Sequence, residues 1–428
     1  MSKPDKPYRK RDVAGHVLSP ETQMMSYGFD PKLSEMSIKP PVFLTSTFAF
    51  SSAEEGAAFF RVNLGQAEEG DPEAAGLMYS RFNNPNMEVL EDRLAIYDGA
   101  EEAAVFSSGM AAISTTLMAL AHAGSVILQS TPLYGGTESL IRKFLPNYGI
   151  KAVDFDAGAE EAEIIAAAEQ AMAQGEVSVI YTESPTNPTN DLVDLAAVSR
   201  VADIIAEKQG TRPTIVTDNT FLGPVNTSPL SLGADVLVYS LTKYIGGHSD
   251  LIAGSAVGSS ELMAKIRSLR GYLGTNLDAH TSWMLLRSLE TVKIRMEAAA
   301  AGARKVAEYL RDHPKVKRVR YLGFQEEGSR DARVFAAQCT TAGSTFAFDL
   351  EDEAAAFRML NALRVMKLAV SLGGTETLIC HPGSTTHRGV DPALRQRQGF
   401  TDGLVRMSVG IENPDDLIAD LKQALEHA

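Results

Sequence analysis

From about residue 86, short apolar runs alternate with longer helical stretches, and this alternation constrains the fold more than any other feature of the chain. The apolar runs are rich in valine and isoleucine, and the stretches between them have apolar residues at helical spacing. The apolar runs are SVILQS, KAVDF, VSVIYTES, TIVTDNT and ADVLVYS. Strands that alternate with helices form a mostly parallel sheet with helices on both faces. We therefore predict an α/β fold.

The pattern changes after residue 280. A long helix is predicted over residues 282–314, ending at Pro314, and it is followed by STFAFDL, a second helical stretch, the strand-like run LAVSLG and a terminal helix. This mixture is typical of a smaller α+β domain. We divide the chain into an N-terminal arm and loop segment (1–78), a large α/β domain (79–285) and a C-terminal α+β domain (286–428).

The N-terminal segment has little periodicity. Residues 39–50, KPPVFLTSTFAF, predict extended chain, and residues 61–77 are polar, acidic and interrupted by glycine and proline, which predicts a loop. The basic run KPDKPYRKR (3–11) predicts a solvated tail, with an arm that contacts another subunit as the alternative.

Composition excludes several classes of protein. The 428 residues carry a net charge of −14, which argues against general nucleic-acid binding. The two cysteines, Cys339 and Cys380, form no disulfide framework and suit a reducing compartment. We see neither a signal peptide nor an uninterrupted apolar span, so we expect a cytoplasmic protein that contacts no membrane.

One segment, ADVLVYSLTKYIGGHSD (234–250), places a lysine at the end of a buried strand. Desolvation there would keep Lys243 near its neutral form, as a Schiff-base nucleophile requires. The hydroxyls of Ser240 and Thr242 come just before it, where a phosphate would have to be held. Taken alone, the segment also fits a surface lysine after an ordinary strand.

Three further features have chemistry that fits this lysine. The turn FSSGMAA lies between a strand and a helix, so the backbone N–H groups of Gly109 and Met110 would favour an anion such as phosphate. Asp218 ends the preceding strand, where a buried carboxylate needs a cationic partner, and Tyr134 follows another strand end. Each has a simpler alternative: a packing turn, a capping aspartate and a core tyrosine.

An aspartate and a lysine on adjacent strand ends, beside a phosphate cradle, match the needs of pyridoxal phosphate. The lysine would attach the cofactor, the protonated ring nitrogen would pair with Asp218, and the ring of Tyr134 could stack on the cofactor. We therefore expect a pyridoxal phosphate site.

Eight motifs in order carry a family resemblance. They are YSRFNNP (79–85), SSGMAA (107–112), LYGGT (133–137), YTESPTNPT (181–189), TDNTF (217–221), YSLTKYIGGHSD (239–250), SLGGTETLICHP (371–382) and GLVRMSVGIE (403–412). Over about residues 38–426 the chain resembles the Cys/Met-metabolism (transsulfuration) enzymes that depend on pyridoxal phosphate. This branch groups methionine γ-lyase, cystathionine γ-synthase and γ-lyase, and the O-acylhomoserine sulfhydrylases. The resemblance implies the aminotransferase-like fold, fold type I.

The resemblance also implies roles for single residues. Lys243 would carry the cofactor and move protons, with Tyr134 as a second acid or base. The cofactor would be held by Tyr79, Arg81, Gly109, Met110, Tyr134, Asn187, Asp218, Ser240, Thr242 and Lys243. Arg406, with Ser371, would bind the substrate carboxylate.

Tyr79 and Arg81 would reach the phosphate from a neighbouring subunit, which implies a homodimer with shared active sites, usually paired into a homotetramer. Residues 1–78 would then contact the partner subunit, and the 79–285 domain would bind the cofactor.

Departures from the family patterns bear on the substrate. Bacterial methionine γ-lyases usually have a cysteine where this chain has Gly136, and cystathionine-handling members usually have charged residues where it has Met78 and Ser139. We read Cys380 as a small buried hydrophobe, and the role of the 61–77 loop is open. The HPGSTTH stretch (381–387) resembles the sulfhydrylases somewhat more than the lyases, and its two histidines lack further ligands, so we expect no metal site.

These departures favour γ-replacement on an O-acylhomoserine by a small sulfur nucleophile. Methionine γ-elimination, which yields 2-oxobutyrate, ammonia and a thiol, is the alternative, and cystathionine synthesis comes third. A protein that binds pyridoxal phosphate without turnover is a remote further possibility. It conflicts with the presence of Tyr134, Lys243 and Arg406 together.

Overall fold

The computed structural model describes residues 10–72 and 75–428, so most of the basic run 3–11 and two residues of the 61–77 loop lie outside the described residues. In chain order the strands are β1 (Asp12–Val13), β2 (His16–Val17), β3 (Glu102–Phe106), β4 (Val126–Thr131), β5 (Lys151–Asp156), β6 (Val177–Glu183), β7 (Thr214–Asp218), β8 (Val236–Ser240), β9 (Gly254–Gly258), β10 (Arg318–Arg320), β11 (Thr345–Asp349), β12 (Lys367–Leu368), β13 (Leu378–Cys380) and β14 (Leu404–Ser408). The larger helices and strands follow the predicted alternation.

The α-helices show the same order. They are α1 (Pro20–Gln23), α2 (Ala53–Asn63), α3 (Pro85–Asp98), α4 (Gly109–Leu120), α5 (Gly135–Ser139), α6 (Glu161–Met172), α7 (Leu195–Gln209), α8 (Ser260–Leu273), α9 (Ala279–Leu289), α10 (Val292–Arg311), α11 (Arg330–Gln338), α12 (Glu353–Ala362), α13 (Pro392–Arg397) and α14 (Pro414–Leu425). In the part of the chain that the structure describes, no helix is long and apolar enough to cross a bilayer.

A seven-stranded sheet in the order β3-β9-β8-β7-β6-β4-β5 forms the centre of the larger part of the molecule. Strands β4 to β8 pair in parallel, and β9 runs antiparallel to both of its neighbours. Apolar side chains are buried on both faces of the sheet. The mostly parallel sheet of the predicted fold is confirmed. Because parallel strands end at the same edge, the residues that follow β4, β6, β7 and β8 are brought together there.

A second, five-stranded sheet in the order β10-β11-β14-β13-β12 lies in the C-terminal part. It is antiparallel except for the pair β12 and β13, and α10, α12 and α14 contribute to its separate apolar core. The smaller α+β unit is therefore present. Strand β14 is central in this sheet and carries Arg406, which lies directly opposite Cys380 of β13.

The prediction of a single helix over residues 282–314 was wrong. The structure has two helices, α9 and α10, separated at Glu290 and Thr291. The Arg295 side chain donates hydrogen bonds to the Ser288 carbonyl and to the Tyr244 and Ile245 carbonyls, which directly follow Lys243. Arg295 therefore satisfies a carbonyl at the end of α9 and links the break between α9 and α10 to the segment that follows Lys243.

Two shorter predictions also differ from the structure. The strand-like run LAVSLG contributes only Leu368 to β12, because the chain leaves the sheet before it reaches Ser371. The loop predicted over 61–77 begins only after Asn63, since α2 extends to that residue. Residues 39–50 form no helix and make an isolated bridge between Thr47 and Tyr79, in agreement with extended chain.

Candidate active site

The carboxyl ends of the parallel strands bring the predicted lysine and aspartate to one edge of the large sheet. Asp218 is the last residue of β7 and Lys243 lies three residues beyond the end of β8, which pairs with β7. Glu183, the last residue of β6, is the direct neighbour of Asp218 in the sheet register. The sheet topology therefore places two buried carboxyl groups and a lysine in one region.

Lys243 is connected to the C-terminal part of the chain. Its Nζ atom donates a hydrogen bond of 2.8 Å to Ser371 Oγ. Burial, with the Arg406 guanidinium as a second cause, lowers the pKa of Lys243 to about 8. A lysine with such a pKa is partly neutral near physiological pH, which the predicted nucleophile needs.

The second of the two glycines after this lysine, Gly247, lies where there is no room for a side chain. Gly247 has a φ of +71°, and a Cβ atom added to it would lie 1.8 Å from Arg295 Nη1. Because Arg295 also binds the carbonyls of Tyr244 and Ile245, any side chain at this position would push apart the contacts that hold the lysine segment.

Asp218 is buried, and it accepts hydrogen bonds from the backbone N–H (3.0 Å) and hydroxyl (2.6 Å) of Thr220. Among the described residues it forms no ion pair. Burial raises the pKa of its carboxyl group, because the hydrogen bonds from Thr220 and the nearby hydroxyl of Tyr181 only partly offset the cost of desolvating the charge. The protonated ring nitrogen of a cofactor would supply the missing cation.

The N-terminus of α4 offers backbone donors to an anion. The side chain of Ser108 accepts from the N–H of Ala111, and its carbonyl accepts from the N–H of Ala112. Within the described parts of the chain, the N–H groups of Gly109 and Met110 have no acceptor. This is the arrangement expected for a phosphate site.

Ser240 faces this helix N-terminus, whereas Thr242 is engaged elsewhere. A Cβ atom on Gly109 would lie 2.9 Å from the Cβ atom and 3.0 Å from the Oγ atom of Ser240, so the absence of a side chain lets Ser240 approach the helix N-terminus this closely. The Thr242 hydroxyl donates to the Ala253 carbonyl and accepts from the Ala253 N–H. The hydrogen atom of that hydroxyl is thus used within the chain, and the phosphate contact of Thr242 stays a prediction.

Arg406 is nearly completely buried and lies between two predicted site residues. Its Nη1 atom donates to Asn187 Oδ1 at 3.0 Å, and its Nη2 atom donates to the Ser371 carbonyl at 2.9 Å. Ser371 has a φ of 119°, which is strained for a residue with a side chain. Through this one serine, the backbone binds Arg406 and the hydroxyl binds Lys243.

Tyr134 is held by its backbone N–H, and the residue as a whole is 39% exposed. Its N–H donates to Glu183 Oε2 at 2.7 Å. A Cβ atom on Gly136 would lie 2.6 Å from the ring of Tyr134 and 3.0 Å from the sulfur of Met110. The ring of Tyr134 is therefore packed over a glycine that leaves no room for a side chain in this arrangement.

The residues described above form one group, the Lys243 cluster, which comprises Tyr134, Asn187, Asp218, Lys243, Ser371 and Arg406. The structure does not bring Tyr79 and Arg81 into this cluster. Tyr79 is 43% exposed, and Arg81 donates to the Gly271 carbonyl and lies 4.2 Å from the ring centroid of Phe82. Both line an open cleft of about 520 Å³. The cleft is also lined by residues 43–46, 87 and 276–279.

Two residues of the site were not predicted from the sequence. Glu183 accepts the backbone N–H groups of Tyr134 and Asn187. His387 is buried and burial lowers its pKa to about 4, with Arg406 as a further cause. An acidic residue that ends a strand of apolar residues was the available signal for Glu183.

The other histidine of that stretch, His381, bonds to Ser384 and to the Asp402 carbonyl. Both of its ring nitrogens are therefore occupied by the protein itself. Among residues 10–72 and 75–428, no group of His, Cys, Asp and Glu side chains has the arrangement of a metal site.

The donors in this cluster suit the expected pyridoxal phosphate. Gly109 and Met110 have N–H groups without an acceptor in the described chain, and Asp218 is a buried carboxyl group without a cation. Lys243 completes the set with an amine whose pKa is lowered. Phosphate, ring nitrogen and aldehyde thus each have a group of matching chemistry.

Comparison with known proteins supports pyridoxal phosphate as the cofactor. The model of the Cys/Met metabolism PLP-dependent enzyme family matches residues 21–426. An L-methionine gamma-lyase of Fusobacterium nucleatum subsp. polymorphum is 39% identical over 392 residues, which cover 90% of this chain and 93% of that protein. An O-succinylhomoserine sulfhydrylase of Pseudomonas aeruginosa is 34% identical over 385 residues, 90% of each chain.

A solved structure extends the similarity to the fold. A Campylobacter jejuni protein designated an O-acetylhomoserine (thiol)-lyase superposes with a TM-score of 0.86 at 29% identity, over 96% of this chain and all of the other. That structure contains N'-pyridoxyl-lysine-5'-monophosphate. The same fold therefore holds this cofactor on a lysine in a related protein.

Proposed function

Because the chain belongs to the Cys/Met-metabolism family of pyridoxal phosphate-dependent enzymes, we propose that it acts at the γ-carbon of a sulfur amino acid or an activated homoserine. The family consists of lyases and transferases that use this cofactor on amino-acid substrates. The observation that carries the proposal is the link from Lys243 through Ser371 to Arg406. It joins a group that can move a proton at Cα to one that can hold the α-carboxylate.

Pyridoxal phosphate, when bound, supplies an electron sink for the charge that develops at Cα. Arg406 binds the substrate carboxylate with its planar guanidinium, and Asn187 and the Ser371 carbonyl keep that group in place. Lys243 then takes the Cα proton. Loss of a Cβ proton allows the leaving group to depart from Cγ, with Tyr134 as the acid or base.

For the second half of the reaction we propose γ-replacement on an O-acylhomoserine by a small sulfur nucleophile. Gly136 supports this choice, because the packing of Tyr134 leaves no room for the cysteine that methionine γ-lyases usually have there. Met78 is buried and Ser139 is uncharged, so neither could bind the second amino-acid group of cystathionine. A compact thiol or sulfide suits this surface best.

Methionine γ-elimination is the second candidate. It is favoured by sequence similarity, since the relatives named L-methionine gamma-lyase reach 39% identity, against 34% for the sulfhydrylase. Elimination and replacement use the same residues of the site. They differ in whether a thiol adds at Cγ after the leaving group departs or whether the amino acid is released as 2-oxobutyrate and ammonia. The proposal therefore needs a test of products.

Product analysis of the holoenzyme with L-methionine alone, and with O-acylhomoserine plus sulfide, separates the two reactions. We expect homocysteine from the second mixture and little 2-oxobutyrate from the first. Rapid formation of 2-oxobutyrate and methanethiol from methionine alone would replace the transferase by a γ-lyase. If no mixture gave any product although the cofactor was bound, catalysis at Cγ would be excluded for these substrates.

We also propose a homodimer with shared active sites, paired into a homotetramer. The separation of Tyr79 and Arg81 from the Lys243 cluster of their own chain supports this assembly, because these two side chains are then available to a second copy. The two free cysteines suit a cytoplasmic location.

A further inference from the structure

We propose that Glu183 is a positioning residue that holds Tyr134 and Asn187 at a fixed separation and thereby sets the rate of the chemical step. This inference rests on the proposed function, since the tasks of Tyr134 and Asn187 come from it. Glu183 itself would touch neither substrate nor cofactor.

The two carboxyl oxygens of Glu183 bind two different segments of the chain. Oε2 accepts the N–H of Tyr134 at 2.7 Å, and Oε1 accepts the N–H of Asn187 at 3.1 Å. Tyr134 precedes the short helix α5, whereas Asn187 lies beyond the end of β6. One side chain therefore links two loops that are 53 residues apart in sequence, since residue 187 follows residue 134 by that number.

The link continues to the substrate end of the cluster. Asn187 receives a hydrogen bond from Arg406, so the backbone position of Asn187 also affects the direction of the guanidinium. On the other side, Tyr134 depends on the Glu183 contact because its own side chain makes no capping hydrogen bond to α5. A shift of Glu183 would change the distance between the phenol and the carboxylate-binding group.

The charges around Glu183 exclude a simple ion-pair role. Burial, followed by the charge of Asp218, raises the pKa of the Glu183 carboxyl group well above its usual value, and Glu138 contributes in the same direction. Within the described parts of the chain no lysine or arginine pairs with Glu183. The attractive contacts of its carboxyl group are the two N–H groups, so geometry is what this residue supplies.

Glu183→Gln tests the inference because glutamine has nearly the same shape but only one carbonyl oxygen. It can accept one of the two N–H groups, and its own NH₂ group faces the other. We expect kcat to fall about 10- to 100-fold, as for a buried donor that loses its acceptor, and KM to change less. The visible circular dichroism of the bound cofactor should change, with unaltered cofactor content.

Glu138→Gln is the matched control. Glu138 is also a buried carboxyl group near Tyr134, but it binds Arg142 and does not contact Asn187. Its kcat should stay within about threefold of the parent. If Glu183→Gln does not fold, Ser130→Ala tests the positioning role instead. The Ser130 hydroxyl accepts the Glu183 N–H, so its loss should shift Glu183 without removing the carboxyl group. This variant should lower kcat about threefold or more and leave KM nearly unchanged.

Retention of kcat within about threefold in Glu183→Gln, with an unchanged dichroism spectrum, would overturn the positioning role. The same holds if only KM changes. Failure of the proposed function looks different, because the parent enzyme would then lack activity on the homoserine ester and on methionine. The dichroism comparison needs no turnover, so it would still decide the structural part of the inference.

Discussion

The Lys243 cluster and the Tyr79–Arg81 cleft differ in how far a single chain completes them. Lys243, Ser371 and Arg406 are joined by short hydrogen bonds in a buried region. Tyr79, by contrast, is 43% exposed, and Arg81 is bound to a carbonyl of a nearby helix. The difference indicates that the two sheets of one chain together assemble the groups for proton transfer and carboxylate binding, whereas the cleft presents its groups outward.

The largest expected effect is on the Lys243 cluster, whose groups come from a single chain. Lys243→Ala should lower turnover by more than about 1,000-fold and abolish the lysine adduct that borohydride traps, because the amine is the predicted attachment point. Steady-state rates and mass spectrometry of the trapped peptide are the measurements. Lys265→Ala, an exposed lysine paired with Glu261, is the control and should behave like the parent. Retained activity in Lys243→Ala would refute the whole cluster.

A second test concerns the buried arginine. Arg406→Lys keeps a positive charge but loses the planar fork that bonds to Asn187, to the Ser371 carbonyl and to a carboxylate. We expect KM for the amino-acid substrate to rise about 100-fold. Arg304→Lys, at an exposed arginine paired with Glu308, should leave KM unchanged. An unaltered KM in Arg406→Lys would show that the carboxylate binds elsewhere.

Arg81→Ala tests the exposed Tyr79–Arg81 cleft. If Arg81 reaches the phosphate of a second copy, the dissociation constant of the cofactor should rise about 30-fold, the size expected for a lost hydrogen bond to a charged group. Equilibrium dialysis of the holoenzyme measures it. Arg61→Ala is the control, because Arg61 pairs with Asp71 of its own chain.

Mixing the Lys243→Ala and Arg81→Ala variants, at a cofactor concentration that leaves Arg81→Ala sites empty, sharpens this test further. In a heterodimer of Lys243→Ala and Arg81→Ala chains, one of the two shared sites has both intact residues. Random mixing should therefore restore about a quarter of the parent activity. No recovery from the mixture, together with parent-like cofactor binding in Arg81→Ala, would mean that each chain builds its site alone.

The smallest expected effect is a dependence on pH. Because burial and Arg406 disfavour the charged amine, the pKa of Lys243 is lowered to about 8, and the amine becomes neutral as the pH rises through that value. Uptake of the cofactor by the apoenzyme should therefore accelerate about tenfold between about pH 7 and 9 and then level off. A rate that kept rising up to about pH 10.5 would indicate an ordinary lysine.

Much of this arrangement could be predicted from the sequence. Strand ends that carry Asp218 and Lys243 are local features, because an apolar run of β-branched residues followed by a polar residue identifies the edge of a parallel sheet. The role of Arg406 required the family resemblance, since by spacing alone it is one more charge on a strand. Its observed contact with Asn187 is consistent with that role.

Other features could not be predicted because they depend on residues far apart in the chain. The break between α9 and α10 involves Arg295 and the carbonyls that follow Lys243, a contact without any local signal. The link between Tyr134 and Asn187 through Glu183 appears only once β4 and β6 lie side by side.

The sequence by itself determined the alternation of strands and helices, the position of the lysine and the family. These depend on periodicity and on motifs that are contiguous in the chain. Tertiary structure alone decided which groups meet: Ser371 between Lys243 and Arg406, and the glycine-packed ring of Tyr134. The physical reason is that burial and hydrogen bonding at a strand edge depend on distances between segments, which the order of residues does not contain.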